Sequence, residues 1–356
     1  MSPGVLQITG LTKRYGGAVA LDDVSLDVPR DCYVSLLGPS GSGKTVLLRV
    51  IAGFEEPDAG TIEFAGRPIV GAPVYSRGIG FVFQNFALFP HLTVYENVAF
   101  GLKNGAGAPL GKSEIRDRVR AMIELVGLAG LETRGVHQIS GGQRQRVALA
   151  RTLVTEPPLV LLDEPLGALD ANLRTRIRAE LRVIRERLGV TFLHVTGSES
   201  EALAIGDRVI VLDRGRVVQF DDPDTLFERP ASARVARFLN CYNLFGGAVE
   251  GSSFQSDAGD FPLPRGSYPP RGFYGVRYDR IVVAPPSAES GSDHVGLTAA
   301  FVASEFTGPT LLSFFKLASG QIVEVETRLG DRVPPQYELG EAYALSWRRD
   351  GARVFA

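Results

Sequence analysis

The rhythm of apolar positions changes once along this chain, near residue 235. Before that point, short β-branched apolar runs alternate with longer stretches whose apolar positions recur every three or four residues. VLQITGL, VSLDV and CYVSLLG read as strands, and VLLRVIAG, directly after GPSGSGKT, has helical length and spacing. DAGTIEFAGRPI and GIGFVFQ read as strands separated by Gly/Pro turns. Residues 111–131 carry EIRDRVRAMIELVGL, which predicts a helix, and another helix starts near Ser140. PLVLLDEP at 158–165 is a continuous apolar run of the buried parallel-strand type. LRTRIRAELRVIRERLG is an amphipathic helix, and TFLHVTG is the next buried strand. Strands alternating with helices predict an α/β sheet. After residue 235 Pro, Gly and Ser become frequent, and YGVRYDRIVVA, VGLTAAFVASEF, TLLSFFKL, QIVEVETRL and AYALSW read as strands of a small all-β barrel or sandwich. The stretch 251–271 reads as a flexible loop.

Composition adds bounds. With 356 residues the chain exceeds what one core usually organises, so two domains are expected. A net charge of −2 gives no reason to expect nucleic acid as a partner. Cys32 and Cys241 lie far apart and form no metal-type spacing, which fits a reducing compartment. No secretory leader is expected from MSPGVLQITGLTKRYGG, and no apolar run reaches the roughly 18 residues a membrane span needs.

Three short motifs carry chemistry. GPSGSGKT at 38–45 stands between a strand and a helix. Its glycines (Gly38, Gly41, Gly43) let backbone N–H groups turn inward on phosphate oxygens, with Ser40 beside them, and the helix N-terminus adds positive potential. Lys44 would pair with the β- and γ-phosphates of a nucleotide, and the Thr45 hydroxyl would bind Mg²⁺. In LVLLDEP, Asp163 and Glu164 stand at the carboxyl end of a strand, where α/β sheets bind ligands. Asp163 would orient Mg²⁺ and Glu164 would polarise the attacking water. ISGGQRQRVALARTL places Ser140, Gly141 and Gly142 ahead of a helix, a second anion cradle. One nucleotide does not need two cradles in one chain. Two copies facing head to tail could share them.

With these motifs in this order, the chain resembles the ATP-binding subunits of ABC transporters over residues 5–235. The resemblance implies that ISGGQ, including Gln143, is the signature motif, that Tyr15 in TKRYGG stacks on adenine, and that Gln84 is the Q-loop glutamine. That glutamine touches Mg²⁺ and senses the transmembrane partner. LGALD matches the D-loop, with Asp170 as its acidic residue. FALFPHLTVYENVAFGL and IAGFEEPDAG are similar to importers of polyamines, ferric iron and sugars that use an external binding protein. Residues 236–356 resemble the TOBE extension of those subunits. The implied architecture is a P-loop NTPase domain at 1–235, with an antiparallel β subdomain and a helical subdomain at about 88–155. A TOBE-like, OB-like β-barrel follows at 236–356. The implied ligands are ATP and Mg²⁺. The implied partners are a second copy of the chain, permease subunits and, indirectly, a solute-binding protein, at the cytoplasmic face of the inner membrane. A polyamine-like solute is the expectation from the IAGF-type text.

One position departs from the family. A strand like TFLHVTG is followed there by a histidine that reaches the γ-phosphate, and here the triplet is Thr196-Gly197-Ser198. His194 falls inside the strand on the opposite face and reads as a core residue, whereas Ser198 keeps a hydroxyl near the phosphates. Two functional classes stay open, a working importer ATPase with a slowed step and an ATP-binding clamp with little turnover. A soluble ABC protein of repair or translation fits less well with the TOBE-like tail. Among the remaining features, Arg144, Arg146 and Arg151 read as a solvated or helix-packing face. Trp347 reads as barrel core. Phe86, Phe89 and His91 read as a docking surface for a permease helix.

Overall fold

The computed structural model describes residues 4–105, 110–167, 171–286, 293–330 and 333–356, without the side chains of 171–173. The chain divides into two compact units, the first ending at Glu228 and the second beginning at Arg229. Among the described residues no helix is long and apolar enough to cross a membrane.

The first unit is organised by a six-stranded sheet. Its order is Arg216–Asp221, Arg208–Asp213, Tyr33–Leu37, Thr191–Thr196, Leu159–Asp163 and Gly80–Val82. All neighbours run parallel except the first pair. Tyr33–Leu37 and Thr191–Thr196 are buried at every residue, which explains their unbroken apolar text. Successive side chains leave a strand on opposite faces, so the sheet feeds two cores. On one face Val34, Leu36, Leu161, Leu193 and Val195 pack with Leu47, Leu48 and Ile51 of the helix Lys44–Ala52. That core also takes Leu6, Ile8, Val24 and Ile62 from a four-stranded antiparallel sheet of Ala18–Val28, Leu6–Tyr15, Ala59–Phe64 and Arg67–Pro68. On the other face Tyr33, Val160, Leu162 and Phe192 join the helices Val94–Asn104, Lys112–Leu125, Gly141–Leu153 and Ala171–Leu188. The helix Val94–Asn104 begins at a capping box. Thr93 Oγ1 accepts from Glu96 N–H at 3.2 Å, and Glu96 Oε2 accepts from Thr93 N–H at 2.9 Å.

The second unit holds two five-stranded antiparallel sheets. One has the order Gly259–Pro262, Ser253–Ser256, Tyr242–Glu250, Arg271–Arg277, Ala352–Phe355. The other runs Val282–Ala284, Ala342–Arg348, His294–Phe306, Thr310–Lys316, Ile322–Arg328. They share one core, in which Trp347 is 1% exposed and donates from Nε1 to the Tyr274 hydroxyl at 2.9 Å. Within 251–271 the expected loop is in part a hairpin, Ser253–Ser256 with Gly259–Pro262. The reason is Phe254 and Phe261, both fully buried, which anchor the otherwise polar segment against Tyr274. The helix Ala233–Phe238 packs with Tyr242 and Phe355 of this unit.

Candidate functional site

The strand Tyr33–Leu37 ends in the loop that carries Gly38, Ser40, Gly41 and Gly43, and the helix Lys44–Ala52 follows at once. Gly43 is the residue before the helix, with φ of 103°, and no side chain caps the helix N-terminus. Its first amides therefore lack an internal partner and face the loop. A Cβ at Gly38 would stand 2.1 Å from the Leu212 carbonyl oxygen, and one at Gly43 would stand 2.5 Å from that of Ala20. At Gly41, with φ of 77°, a Cβ meets nothing within 4 Å, but the left-handed backbone still favours glycine. Lys44 folds back over the loop, 7% exposed, and donates to the carbonyls of Gly38 at 2.7 Å and Pro39 at 3.0 Å. Burial lowers its pKa, against the opposing charges of Glu164 and Asp163. Such a nest of free amides around a buried ammonium suits a polyphosphate.

Two strands away, Leu159–Asp163 delivers the acidic pair. Burial, then the charge of Glu164, raises the Asp163 carboxyl above its ordinary value, with Arg49, a hydrogen bond from Thr45 and Lys44 opposing. Glu164 turns the chain at φ of 45°, a left-handed conformation that is strained for this residue type, and its amide donates to Val195 O at 3.1 Å. Gln84, exposed just beyond Gly80–Val82, donates from Nε2 to Glu164 Oε2 at 3.1 Å. Gln84 and Glu164 therefore touch each other, as do Thr45 and Asp163, and Lys44 feels both carboxylates. The oxygens of Thr45, Asp163 and Gln84 are the hard donors that Mg²⁺ prefers. Among the described residues no three His, Cys, Asp or Glu side chains are arranged to hold a metal, so an ion here would take further ligands from phosphate and water.

Ser140 caps the helix Gly141–Leu153 through a reciprocal pair. Its Oγ accepts from Gln143 N–H at 3.3 Å, and Gln143 Oε1 accepts from Ser140 N–H at 2.8 Å. Gln143 thus uses its amide oxygen locally. Ser140 is exposed, and a Cβ at Gly141 would meet nothing within 4 Å, which leaves room for a ligand against this helix start. Tyr15 is 44% exposed, with the Lys13 ammonium 5.3 Å over its ring. Asp170 lies outside the described residues.

The turn Thr196-Gly197-Ser198 leaves the strand that lies between the other two. Thr196 pairs with Leu37, one residue before the glycine loop, and Val195 pairs with Asp163. Gly197 therefore stands on the rim between Lys44's loop and Glu164. Its φ is outside the left-handed region, and a Cβ there would meet nothing within 4 Å. Ser198 Oγ accepts from Glu201 N–H at 3.3 Å and caps the helix Glu199–Ile205. His194 is fully buried, as expected for the opposite face.

The ABC transporter family model matches residues 21–167, and the TOBE domain model matches residues 274–355. A spermidine/putrescine import ATP-binding protein of Rubrobacter xylanophilus is 42% identical over 352 residues, 97% of this chain and 92% of that protein. The chain belongs to the ABC transporter family. A sulfate/thiosulfate import ATP-binding protein of Bacillus cereus is 48% identical over 245 residues, 68% of this chain and 69% of that protein. Among solved structures, cbiO1 of Clostridium perfringens, part of the ABC transporter complex cbiONQ, superposes with a TM-score of 0.60 at 31% identity, covering 64% of this chain and 92% of that one. A dimeric ATP-binding cassette, MJ0796, in a post-hydrolysis state with ADP and Pi, gives 0.55 at 33% identity, covering 61% and 98%. This chain is accordingly an ABC ATPase with a TOBE domain.

Two arginines of this ABC ATPase do more than the sequence suggested. Arg151, read from sequence only as part of a packing face, donates to the carbonyls of Ala87 at 2.7 Å and Phe86 at 3.0 Å and covers the Phe89 ring. Phe86 and Ala87 both have positive φ, so this one guanidinium holds a strained loop just after Gln84. Phe86 and Phe89 are half-buried and His91 is exposed. Arg146 pairs with Glu180 at 2.6 Å, whereas Arg144 is exposed. Arg77, buried, closes the C-terminus of the Lys44–Ala52 helix through the carbonyls of Val50 and Ile51 at 3.0 and 2.8 Å. No sequence motif marked Arg77. Gly53 ends that helix at φ of 87°, and a Cβ there would stand 2.5 Å from the guanidinium.

Proposed function

We propose that this ABC ATPase is the energy-coupling subunit of an importer for a small polar solute, polyamine-like in class, and that its hydrolytic step is slowed by the glycine at 197. The carrying observation is the similarity to a spermidine/putrescine import subunit along 97% of the chain, C-terminal β unit included. In this reading residues 1–235 form the nucleotide-binding domain, with a helical subdomain at about 88–155, and 236–356 form a regulatory TOBE-like barrel. Two copies meet head to tail, so that the Gly38–Thr45 loop of one and Ser140, Gly141, Gly142 and Gln143 of the other enclose each ATP. Permease subunits dock on the aromatic loop at Phe86, Phe89 and His91. The dimer sits peripherally at the cytoplasmic face of the inner membrane, and an external solute-binding protein supplies cargo.

Each residue then has a task. Tyr15 stacks on adenine. Lys44 and the free amides of its helix bind the β- and γ-phosphates and hold the γ-phosphorus in line for attack. Mg²⁺, when bound, neutralises phosphate charge, with Thr45, Asp163 and Gln84 as the side chains that would hold it. Glu164 takes the proton from water as its oxygen bonds to the γ-phosphorus and the bond to the bridging oxygen breaks, leaving ADP and phosphate. Gln84 must first leave the Glu164 carboxylate it now occupies. Gly197 contributes no group to the attacking water, which supports the slow step and keeps a second reading in play, an ATP-binding clamp of little turnover. Steady-state phosphate release by the full chain, alone and in vesicles with a permease that binds it, separates the two. Slow but permease-stimulated release fits the importer. Tight ATP binding with no release in either setting fits the clamp.

A further inference from the structure

His194 and Glu201 are buried, polar and unused by any step above. With Tyr33 they form a chain of polar contacts directly beneath the Gly197 turn. We propose that Tyr33, His194 and Glu201 position the turn Thr196-Gly197-Ser198 against the γ-phosphate, so that hydrolysis depends on them more than ATP binding does. The inference rests on the ATPase reading of the site.

Tyr33 and His194 are fully buried and Glu201 is 5% exposed. The Tyr33 hydroxyl is 2.9 Å from His194 Nδ1, and the two rings meet edge-on at 5.8 Å. Burial, then the charge of Glu201, raises the Tyr33 pKa well above its ordinary value, and the hydroxyl donates to Nδ1 in the tautomer that keeps the ring proton on Nε2. That leaves the Nε2 proton facing Glu201, whose Oε1 is 2.9 Å away though off the N–H line. Burial pushes the Glu201 carboxyl up, but the facing His194 ring, the Thr196 hydroxyl and the Arg174 charge outweigh it, and the carboxyl is held below its ordinary value.

Glu201 grips both neighbours of Gly197. Its carboxylate holds the Thr196 hydroxyl, and its amide donates to Ser198 Oγ at 3.3 Å. Ser198 N–H in turn donates to Thr196 Oγ1 at 3.0 Å. A glycine imposes the least conformational restraint of any residue, and Gly197 has no side chain to reach a phosphate or to pack. The order of this turn therefore comes from below, through Glu201, His194 and Tyr33. A mere core role is a poor match for these residue types. Apolar side chains fill space at less desolvation cost than a buried carboxylate beside an imidazole.

The test uses the full-length chain with three variants, His194→Phe, Tyr33→Phe and Glu201→Gln. It reads steady-state ATP hydrolysis, ATP affinity and amide exchange over residues 196–201. His194→Phe should lower kcat about tenfold, the usual scale for a lost hydrogen bond to a charged group. KM should shift less than about twofold, and exchange over 196–201 should rise. Glu201→Gln, which keeps shape and a carbonyl oxygen, should retain more rate than His194→Phe, and combining the two should cost no more than His194→Phe alone. Unchanged kcat and exchange in folded His194→Phe would overturn the proposal, as would a rise in KM that matches the loss in kcat. If His194→Phe does not fold, Tyr33→Phe decides. A small loss of kcat with faster exchange supports the proposal, and no change in either overturns it. A wild-type chain that binds ATP but releases no phosphate contradicts the ATPase reading instead, and exchange in the variants still decides whether the turn is held from below.

Discussion

Two glycine-bearing loops leave adjacent strands of the same sheet, and their glycines are there for opposite reasons. In the loop before Lys44, Gly43 is left-handed at φ 103° and Gly38 has a carbonyl oxygen where its Cβ would be. Backbone geometry demands glycine at both. At Gly197 the backbone asks for nothing special, and the space beside it is open. The first set of glycines is a consequence of building a phosphate nest. The second removes a side chain from the rim of a site whose other groups are in place. The difference supports the proposal that Gly197 bears on the chemistry, because no steric or conformational need accounts for it.

Substitutions sharpen this contrast. The largest effect belongs to Glu164→Gln, which should lower kcat by about 10²- to 10⁴-fold, the scale of a lost general base, while ATP affinity holds. Light scattering with Mg-ATP should then report a stable dimer; a strictly monomeric product, even with permease present, counts against the head-to-tail arrangement. Lys44→Ala should weaken ATP binding on the order of a hundredfold in a nucleotide titration, since it deletes the charge shared by two phosphates. Undiminished affinity would remove the phosphate-nest assignment. Smaller still is the paired test of the two glycine types. Gly43→Ala should lower stability by about 1 kcal/mol or more, because a left-handed residue and a crowded Cβ are both forced on it. Gly197→Ala should leave stability within about 0.5 kcal/mol of wild type. Equal melting temperatures for the two variants would erase the distinction on which the comparison stands.

What the sequence could reveal follows from how local each feature is. Lys44, Thr45, Asp163 and Glu164 were legible because a phosphate nest and an acidic strand end are each built from one short segment. The Phe254–Phe261 hairpin was not, because its polar turn text hides two anchors whose partners, Tyr274 and Trp347, lie far along the chain. The helix Val94–Asn104 was not among the expected elements, although Thr93 and Glu96 stand at its start with the spacing of a capping box. His194 was legible as a buried strand residue from the alternation of side chains. Its contact with Glu201 was not, since it requires knowing how the helix Glu199–Ile205 folds back on the strand. Arg151's hold on the Phe86 and Ala87 carbonyls depends likewise on a contact spanning more than sixty residues.

The central claim is that the absent side chain at 197 limits hydrolysis, and Gly197→His tests it most directly. The structure removes the main confounder, because the backbone there is not left-handed and a Cβ meets nothing within 4 Å. Steady-state phosphate release at saturating Mg-ATP should rise about tenfold in Gly197→His, in line with one hydrogen bond gained to a charged group, with little change in ATP affinity. A folded Gly197→His chain that hydrolyses ATP no faster than wild type would contradict the account.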